Sequence, residues 1–402
     1  MTSSLLRRAA LTLLLTAAGP ALAVEPLKMG FVCPFTGSSA DFGLSARLGA
    51  ELAVKEINEV GGFLGRPLEM IARDDEGTPE KGLAAAEAFV VKDKVAFTIG
   101  YCNTGVAMAS LDVFQKHKHL LMVPVATGTM ITQKYPPEQS YIFRMSPKDS
   151  LQAAFLIEDL VRRGVSKVAV MADTTGYGAG GFSDLMRFLA LQTHYVTPVY
   201  TARFAPGVKS LTKEVNEAKA AGAEAIIVYT VGPEMAVLTK ARAEARFSGQ
   251  IMGPWPMSLA TVWQQSGGAA EGALAVQSII RDTSNERRTS FIARLSKLAG
   301  NKPVGSLMAA AQTYDAVHMM LRALFQAKGD TSGGALKAAL EDLQKPYAGV
   351  VTTHVKPFAA DDHDAFSINM VWLGVWKRGE IQFAYAEDLA KSSVIRRKER
   401  EK

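Results

Sequence analysis

The feature that most constrains this chain is an alternation that runs along nearly its whole length. Short apolar runs rich in Val, Ile, Leu and Phe are each followed by a segment with apolar residues at helical spacing. Runs of this kind read as buried strands, and strands separated by helices build parallel βαβ units. "LKMGFV" (27–32) comes first, then a helical pattern over 43–60 closed by Gly61-Gly62. "LEMIARD" (68–74) precedes a helix opened by Pro79, a favoured first-turn position for proline. "VAFTIG" (95–100) leads into the helical "TGVAMASLDVFQKH", and "HLLMVPVA" (119–126) is a fourth strand.

The alternation restarts after "YIFRMSPKDS" (141–150), with strands "KVAVMAD" (167–173), "YVTPVYTARF" (195–204), "AEAIIVYT" (223–230) and "GQIMG" (249–253) between helices. Helical patterns over 285–299 and 306–328 follow, and a last helix precedes Tyr347. "FSINMVWLGVWKRGEIQFAY" (366–385) reads as a hairpin around Arg378-Gly379. The expected fold is therefore α/β, with two successive doubly wound, Rossmann-like lobes. In such sheets ligands sit outside the carboxyl ends of the strands, so the residues just after each strand carry the function.

The termini differ from this pattern. Arg7 and Arg8, the apolar "AALTLLLTAA", Gly19-Pro20 and "ALA" at 21–23 have the order of a cleavable signal peptide over 1–23. That implies an exported, periplasmic protein. The net charge is +6, of which Arg7 and Arg8 contribute +2 and residues 396–402 contribute +3. The body is thus near neutral, and no basic face for nucleic acid is implied. Residues 389–402 are expected to be a charged, disordered tail. Cys33 and Cys102 are the two cysteines. They form either one disulfide in an oxidising compartment or two buried thiols.

Three strand ends in the first half carry polar loops: "CPFTGSSADFG" (33–43), "YCNTG" (101–105) and "PVATGT" (124–129). Free N–H groups at the helix starts suit a carboxylate. In the second half, "TTGYGAGG" (174–181) matches a dinucleotide fingerprint only in its glycines, Gly176, Gly178 and Gly181. It lacks the acidic residue that would hold a ribose, so its glycines are read as presenting Tyr177. "RDDEG" (73–77) and "DDHD" (361–364) are read as surface turns and caps, not metal clusters. No nucleophile and base pair is visible, so an enzyme is not expected, and neither is a cofactor or metal. "MGPWPM" (252–257) places Trp255 between two prolines in what reads as a stiff, non-helical turn.

The ordered set "GFVCPFTGSSADFG", "RDDEGTPEKGLAAAEAFV", "TIGYCNTG", "DTTGYG", "VGPEM", "IMGP" and "TYDAV" resembles the periplasmic solute-binding proteins of the Leu/Ile/Val-binding type, which serve ABC importers. The resemblance covers the mature chain and implies the type I periplasmic binding fold, with two lobes joined by three hinge crossovers. By similarity these fall near 144–148, 275–278 and 350–357. Lobe one is then 25–146 plus 278–351, and lobe two 147–277 plus 352–388. The resemblance places Cys102, Asn103 and Thr104, with Val125, Ala126 and Thr127, in carboxylate-binding loops. It gives Phe42 and Tyr177 as an aromatic wall, Tyr229 and Val231 as cleft lining, and Tyr314 as a hinge-side contact. Amino-acid binders of this type carry an acid after "MGP" that pairs with the ligand amine; here Trp255 stands there. An aromatic or short apolar carboxylate is therefore expected in preference to a free amino acid, with Leu/Ile/Val binding or a sensor role as alternatives. A second departure is Gly77, where such binders often have a cysteine partner for the one matching Cys102. A monomer delivering to an inner-membrane ABC permease is the implied assembly.

Overall fold

The computed structural model describes residues 25–191, 195–282, 285–392, 394 and 396–399. The expected signal peptide lies outside the described residues. The alternation of the sequence becomes two sheets. The first contains β1 (Leu27–Cys33), β2 (Leu68–Asp74), β3 (Phe97–Gly100), β4 (Leu121–Val123) and β5 (Ile142–Arg144), in the order β2-β1-β3-β4-β5. All its pairings are parallel. The second contains β6 (Lys167–Asp173), β7 (Thr197–Phe204), β8 (Ala225–Tyr229), β9 (Gln250–Gly253) and β10 (Leu274–Gln277). A two-stranded pair, β11 (Tyr347–Ala348) and β12 (Thr353–His354), stands apart. The hairpin β13 (Trp372–Lys377) and β14 (Glu380–Phe383) completes the second sheet, in the order β14-β13-β10-β9-β8-β6-β7. The hairpin joins β10 antiparallel, while β6 to β10 pair in parallel.

Helices cover these sheets: α1 (Ala40–Glu59), α2 (Pro79–Glu87), α3 (Thr104–Lys116), α4 (Met130–Gln133), α5 (Asp149–Arg162), α6 (Gly176–Ala190) and α7 (Thr212–Ala220). Then come α8 (Glu234–Glu244), α9 (Ala260–Ser266), α10 (Glu286–Leu298), α11 (Leu307–Gln326), α12 (Gly333–Glu341) and α13 (Ala386–Lys391). Strands covered on both faces must be apolar throughout, which is why β3, β4 and β8 read as continuous buried runs. The first lobe has one notably close helix pair. A Cβ on Gly49 of α1 would stand 2.0 Å from the Ala310 carbonyl of α11, so only glycine permits that approach. Among the described residues no helix is long and apolar enough to cross a membrane.

The chain passes from the first sheet to the second after β5, back after β10, and again before β13. The last passage comes later than the expected 350–357. Residues 363–365 still run beside β5: Arg144 N donates to His363 O, and Ala365 N donates to Arg144 O. The reason lies in side chains. Fully buried Arg144 binds Asp364 and the carbonyls of Thr127 and Gly128, anchoring that segment. In "DDHD", His363 and Asp364 are thus a buried anchor, while Asp361 stays exposed, as expected of a surface turn.

The described part of the expected disordered tail is also bound. Lys398 contacts Asp362 and the carbonyls of Pro357 and Asp364, and Arg396 stacks 3.5 Å over Trp372. A buried acidic and aromatic surface beside the hinge gives those basic side chains partners that composition alone could not reveal.

Candidate functional site

In the first lobe the site starts from a covalent clamp. β1 and β3 are register neighbours, Val32 opposite Gly100, so the residues after them face each other. Cys33 and Cys102 form a disulfide there, with Cα atoms 5.3 Å apart. Cys102 is therefore a fastener of the loops and not a thiol offered to ligand. Beside it Asn103, the residue preceding α3, donates Nδ2 to Ser39 Oγ at 3.0 Å, tying the α3 start to the α1 start. Thr104 Oγ1 accepts from Gly128 N at 3.2 Å, joining α3 to the 124–129 loop. The first-turn N–H groups of α3 have no partner within their own helix and are potential donors.

The 124–129 loop divides. Val125 is wholly buried, and Ala126 spends its N–H on Tyr101 O at 3.0 Å. Thr127 faces the interlobe region: its carbonyl accepts from Asp149 N at 2.8 Å and from Arg144.

The second lobe contributes its strand ends. Tyr177 opens α6, and its ring lies 5.5 Å from that of Tyr229, tilted by 43°. The fingerprint-like glycines have a packing purpose. A Cβ on Gly181 would stand 1.9 Å from the Tyr229 ring, and one on Gly178 would stand 2.2 Å from the Asp173 carboxylate. Asp173 in turn accepts from Thr175, Thr230 and Val231 N, holding two strand-end loops together and placing Val231. "MGPWPM" differs from the expected non-helical turn. Pro254 is extended, but Trp255–Ser258 form a short 3₁₀ helix, because Pro256 is tolerated in the first turn. Trp255 is 3% exposed and meets Phe42 of the other lobe edge-on, with centroids 4.8 Å apart.

The lobes touch elsewhere too. Thr129 Oγ1 donates to Asp184 Oδ2 at 2.6 Å, and a Cβ on Gly232 would stand 3.2 Å from Ser38 O. A cavity of about 870 Å³ opens between the lobes beside this cluster. Thr104, Gly128, Lys148, Gly176, Asp184 and Ser367 line it, and of the expected site residues only Thr104 reaches it. The aromatic groups lie packed together outside this cavity, which Asp184 reaches.

At this junction Asn103 Oδ1 and Trp255 Nε1 are buried without a hydrogen-bond partner, and the Asp149 carboxylate and Tyr177 Oη have only the Thr127 side chain beside them. Buried polar groups are normally satisfied, so such a set converging on a cleft is the mark of a binding site. Asp149 was not singled out in the sequence. It opens α5 directly after the hinge strand, in "SPKDSLQ", is wholly buried, and does not cap its own helix. Burial pushes its carboxyl up to about 7, against the opposing pull of Thr127 and Arg144. Burial also raises the Tyr177 phenol, and the neighbouring Asp149 carboxylate adds to that shift. Gln152, one turn on, accepts from Trp255 N at 3.0 Å and so ties α5 to the Trp255 turn. The sequence signal available for Asp149 was an acid just after a strand end at an expected crossover.

Tyr314 is not part of the cleft. It donates to Glu56 at 2.6 Å and packs on Phe291 and His318. Glu56 lies near the far end of α1, roughly 20 Å along the helix from Phe42 at 1.5 Å per residue. Among the described residues no group of His, Cys, Asp or Glu side chains has metal-holding geometry. Asp74 closes the 34–37 loop, accepting from Phe35 N and Thr36, as a turn residue does. Asp75 is fully buried rather than at the surface, and accepts from Gly77 N.

Comparison with known proteins fits this architecture. A periplasmic binding protein family model matches residues 26–380. A Leu/Ile/Val-binding protein homologue of Brucella melitensis is 30% identical over 253 residues, 63% of this chain and 67% of the relative. Two solved structures share the fold at 21% identity and a TM-score of 0.77. One is the branched-chain amino acid transporter substrate-binding protein LivJ of Streptococcus pneumoniae with isoleucine, matched over 89% of this chain and 98% of that one. The other is an ABC-transporter solute-binding protein of R. palustris with benzoate, matched over 90% of this chain and 96% of that one. These relatives are solute-binding proteins and not enzymes, in line with the lack of a nucleophile and base pair in the sequence. The chain belongs to the type I periplasmic binding proteins, within the Leu/Ile/Val-binding family of ABC-transporter solute receptors.

Proposed function

We propose that this receptor captures a small carboxylate with an apolar or aromatic body between its two lobes, in the periplasm, and hands it to an inner-membrane ABC permease as a monomer. The Phe42–Trp255 contact carries the reading. It joins the lobes through two aromatic rings at the strand ends, where an apolar body would be enclosed. The α3 start, Asn103, Thr104 and Thr127 supply the polar end. Trp255 cannot pair with an ammonium as an acid at that position would. Removing a buried charge partner costs about 2–5 kcal/mol, and an indole face returns about 0.5–2 kcal/mol by cation–π attraction. Binding of Leu, Ile or Val themselves is the second reading, favoured by the buried Asp149 carboxyl at the start of α5.

A thermal-shift screen of apolar amino acids, aromatic acids, short-chain acids and the matching amides tests the proposal. A ligand at a hundred times its Kd stabilises by about 2.7 kcal/mol, a shift that is easily read. Carboxylates should raise Tm and their amides should not. A hit confined to amides refutes the carboxylate reading.

A further inference from the structure

We propose that the hinge carries a second binding site, separate from the solute cleft, for a small dianionic oxyanion of the phosphate type. A cavity of about 360 Å³ opens where the second and third crossovers come together. The start of α10 forms one wall, the turn between β11 and β12 another, and Trp372 of β13 with Arg396 of the tail a third. Arg287, Arg288 and Arg396 line it, against one acid, Glu286.

Arg288 is the most telling of them. It is 3% exposed, its Nε and Nη2 donate to the carbonyls of Val350 and Val351, and its Nη1 has no partner. A guanidinium buried this deeply is expected to meet an anion, because an uncompensated buried charge is strongly unfavourable. The two acids that act on it are engaged elsewhere. Asp315 accepts from Tyr347 and from the N–H groups of Val350 and Val351, and Asp282 accepts from Ser392. Burial holds the Arg288 guanidinium below the usual arginine range against the pull of both.

The other groups suit an oxyanion as well. Asn285 caps α10 by accepting from Arg288 N, which leaves the N–H groups of Glu286 and Arg287 without a partner in their own helix. Arg287 is exposed beside Gly349 O, and Arg396 donates to Asn369 O while lying over the Trp372 ring. Guanidiniums bind phosphate-type groups through paired hydrogen bonds, and three cations against one acid favour a dianion. Arg287 and Arg288 follow the crossover into the first lobe, and Arg396 is docked on a strand of the second, so the anion ties the lobes at the hinge. This site is independent of what the cleft binds.

Thermal unfolding of the solute-free mature protein tests it, with inorganic phosphate and sulfate as probes and sodium chloride at matched ionic strength as reference. Both probes should raise Tm beyond chloride, and calorimetry should give a phosphate Kd of about a millimolar or below. Arg288→Met should abolish the rise. If that variant does not fold, Arg287→Gln and Arg396→Gln keep the test, each weakening phosphate about threefold and the two together about tenfold or more. A Tm no higher than in chloride overturns the proposal. So does phosphate binding that survives unchanged in the folded double variant, which would place the anion in the solute cleft.

Discussion

The Phe42–Trp255 pair permits a test of where aromatic energy is spent. The two rings belong to different lobes and meet edge-on at 4.8 Å, so their contact exists only while the lobes are together. Replacing a fully buried Trp by Ala costs about 3–5 kcal/mol when all of its burial lies within one core. Here the ring divides its burial between its own lobe and Phe42. An edge-to-face pair is worth about 0.5–1.5 kcal/mol beyond area, which corresponds to about two- to twelvefold in Kd. Trp255→Ala should therefore weaken ligand binding at least tenfold without unfolding the protein, since it removes the pair contact and contact with the ligand together. A double-mutant cycle with Phe42→Ala isolates the pair. Calorimetry should place the coupling in the ligand Kd, and thermal unfolding without ligand should show little of it. Coupling found wholly in unliganded stability, with additive effects on Kd, would falsify the assignment of this contact to closure.

Three further outcomes follow from single residues. Asp149 has its carboxyl pushed up to about 7 from 3.8 by burial, with Thr127, Arg144 and Asp184 as the groups facing it. The folded state then holds this proton more tightly than the unfolded state. Stability from this group is complete below about pH 4 and declines as pH rises towards 7. A ligand ammonium favours the ionised form, so leucine binding at pH 6 should release a fraction of a proton, read as a dependence of calorimetric heat on buffer; proton uptake would contradict it. The Cys33–Cys102 disulfide closes a loop at a separation of 69 residues, so its removal by paired serine substitution should cost about 4 kcal/mol. A Tm unchanged by the substitutions would refute that. Tyr314→Phe should lower stability by about 1 kcal/mol through loss of the Glu56 hydrogen bond and leave affinity untouched; a Kd changed fivefold would return Tyr314 to the site.

Strand and helix order was legible because continuous burial writes itself as uninterrupted Val, Ile and Leu, and "AIIVY" permits little else. What sequence spacing could not convey is which side chains share a surface across lobes. Asp364 and Arg144 are 220 residues apart and form one buried pair. Only the fold brings them together, and so the third crossover was expected too early. The Tyr314 error has a related cause. A motif fixes a position along a helix but not which end of that helix meets the cleft. "GYGAGG" is read in the sequence as presenting Tyr177 and not as a nucleotide loop. Its glycines, however, serve the close packing of Tyr229 and Asp173 as much as the placement of Tyr177.

The expected preference for a ligand other than a free amino acid shows how far one position can be trusted. It rested on Trp255 standing where an acid was expected, and the geometry of Trp255 supports its apolar role. The missing charge need not be missing from the site, because a cleft is assembled from several strand ends and a carboxylate can enter from any of them. α5 starts at the hinge, and its first residue reaches the same junction from the opposite wall. Moving the acid from a lobe to the crossover also changes what it can report. An acid on one lobe holds the ligand to that lobe. An acid whose backbone is bonded to both lobes is in place only when Thr127 and Tyr229 have come together. Recognition of an ammonium and closure of the cleft would then be one event, and ligands without one would close the receptor less completely as well as bind it more weakly.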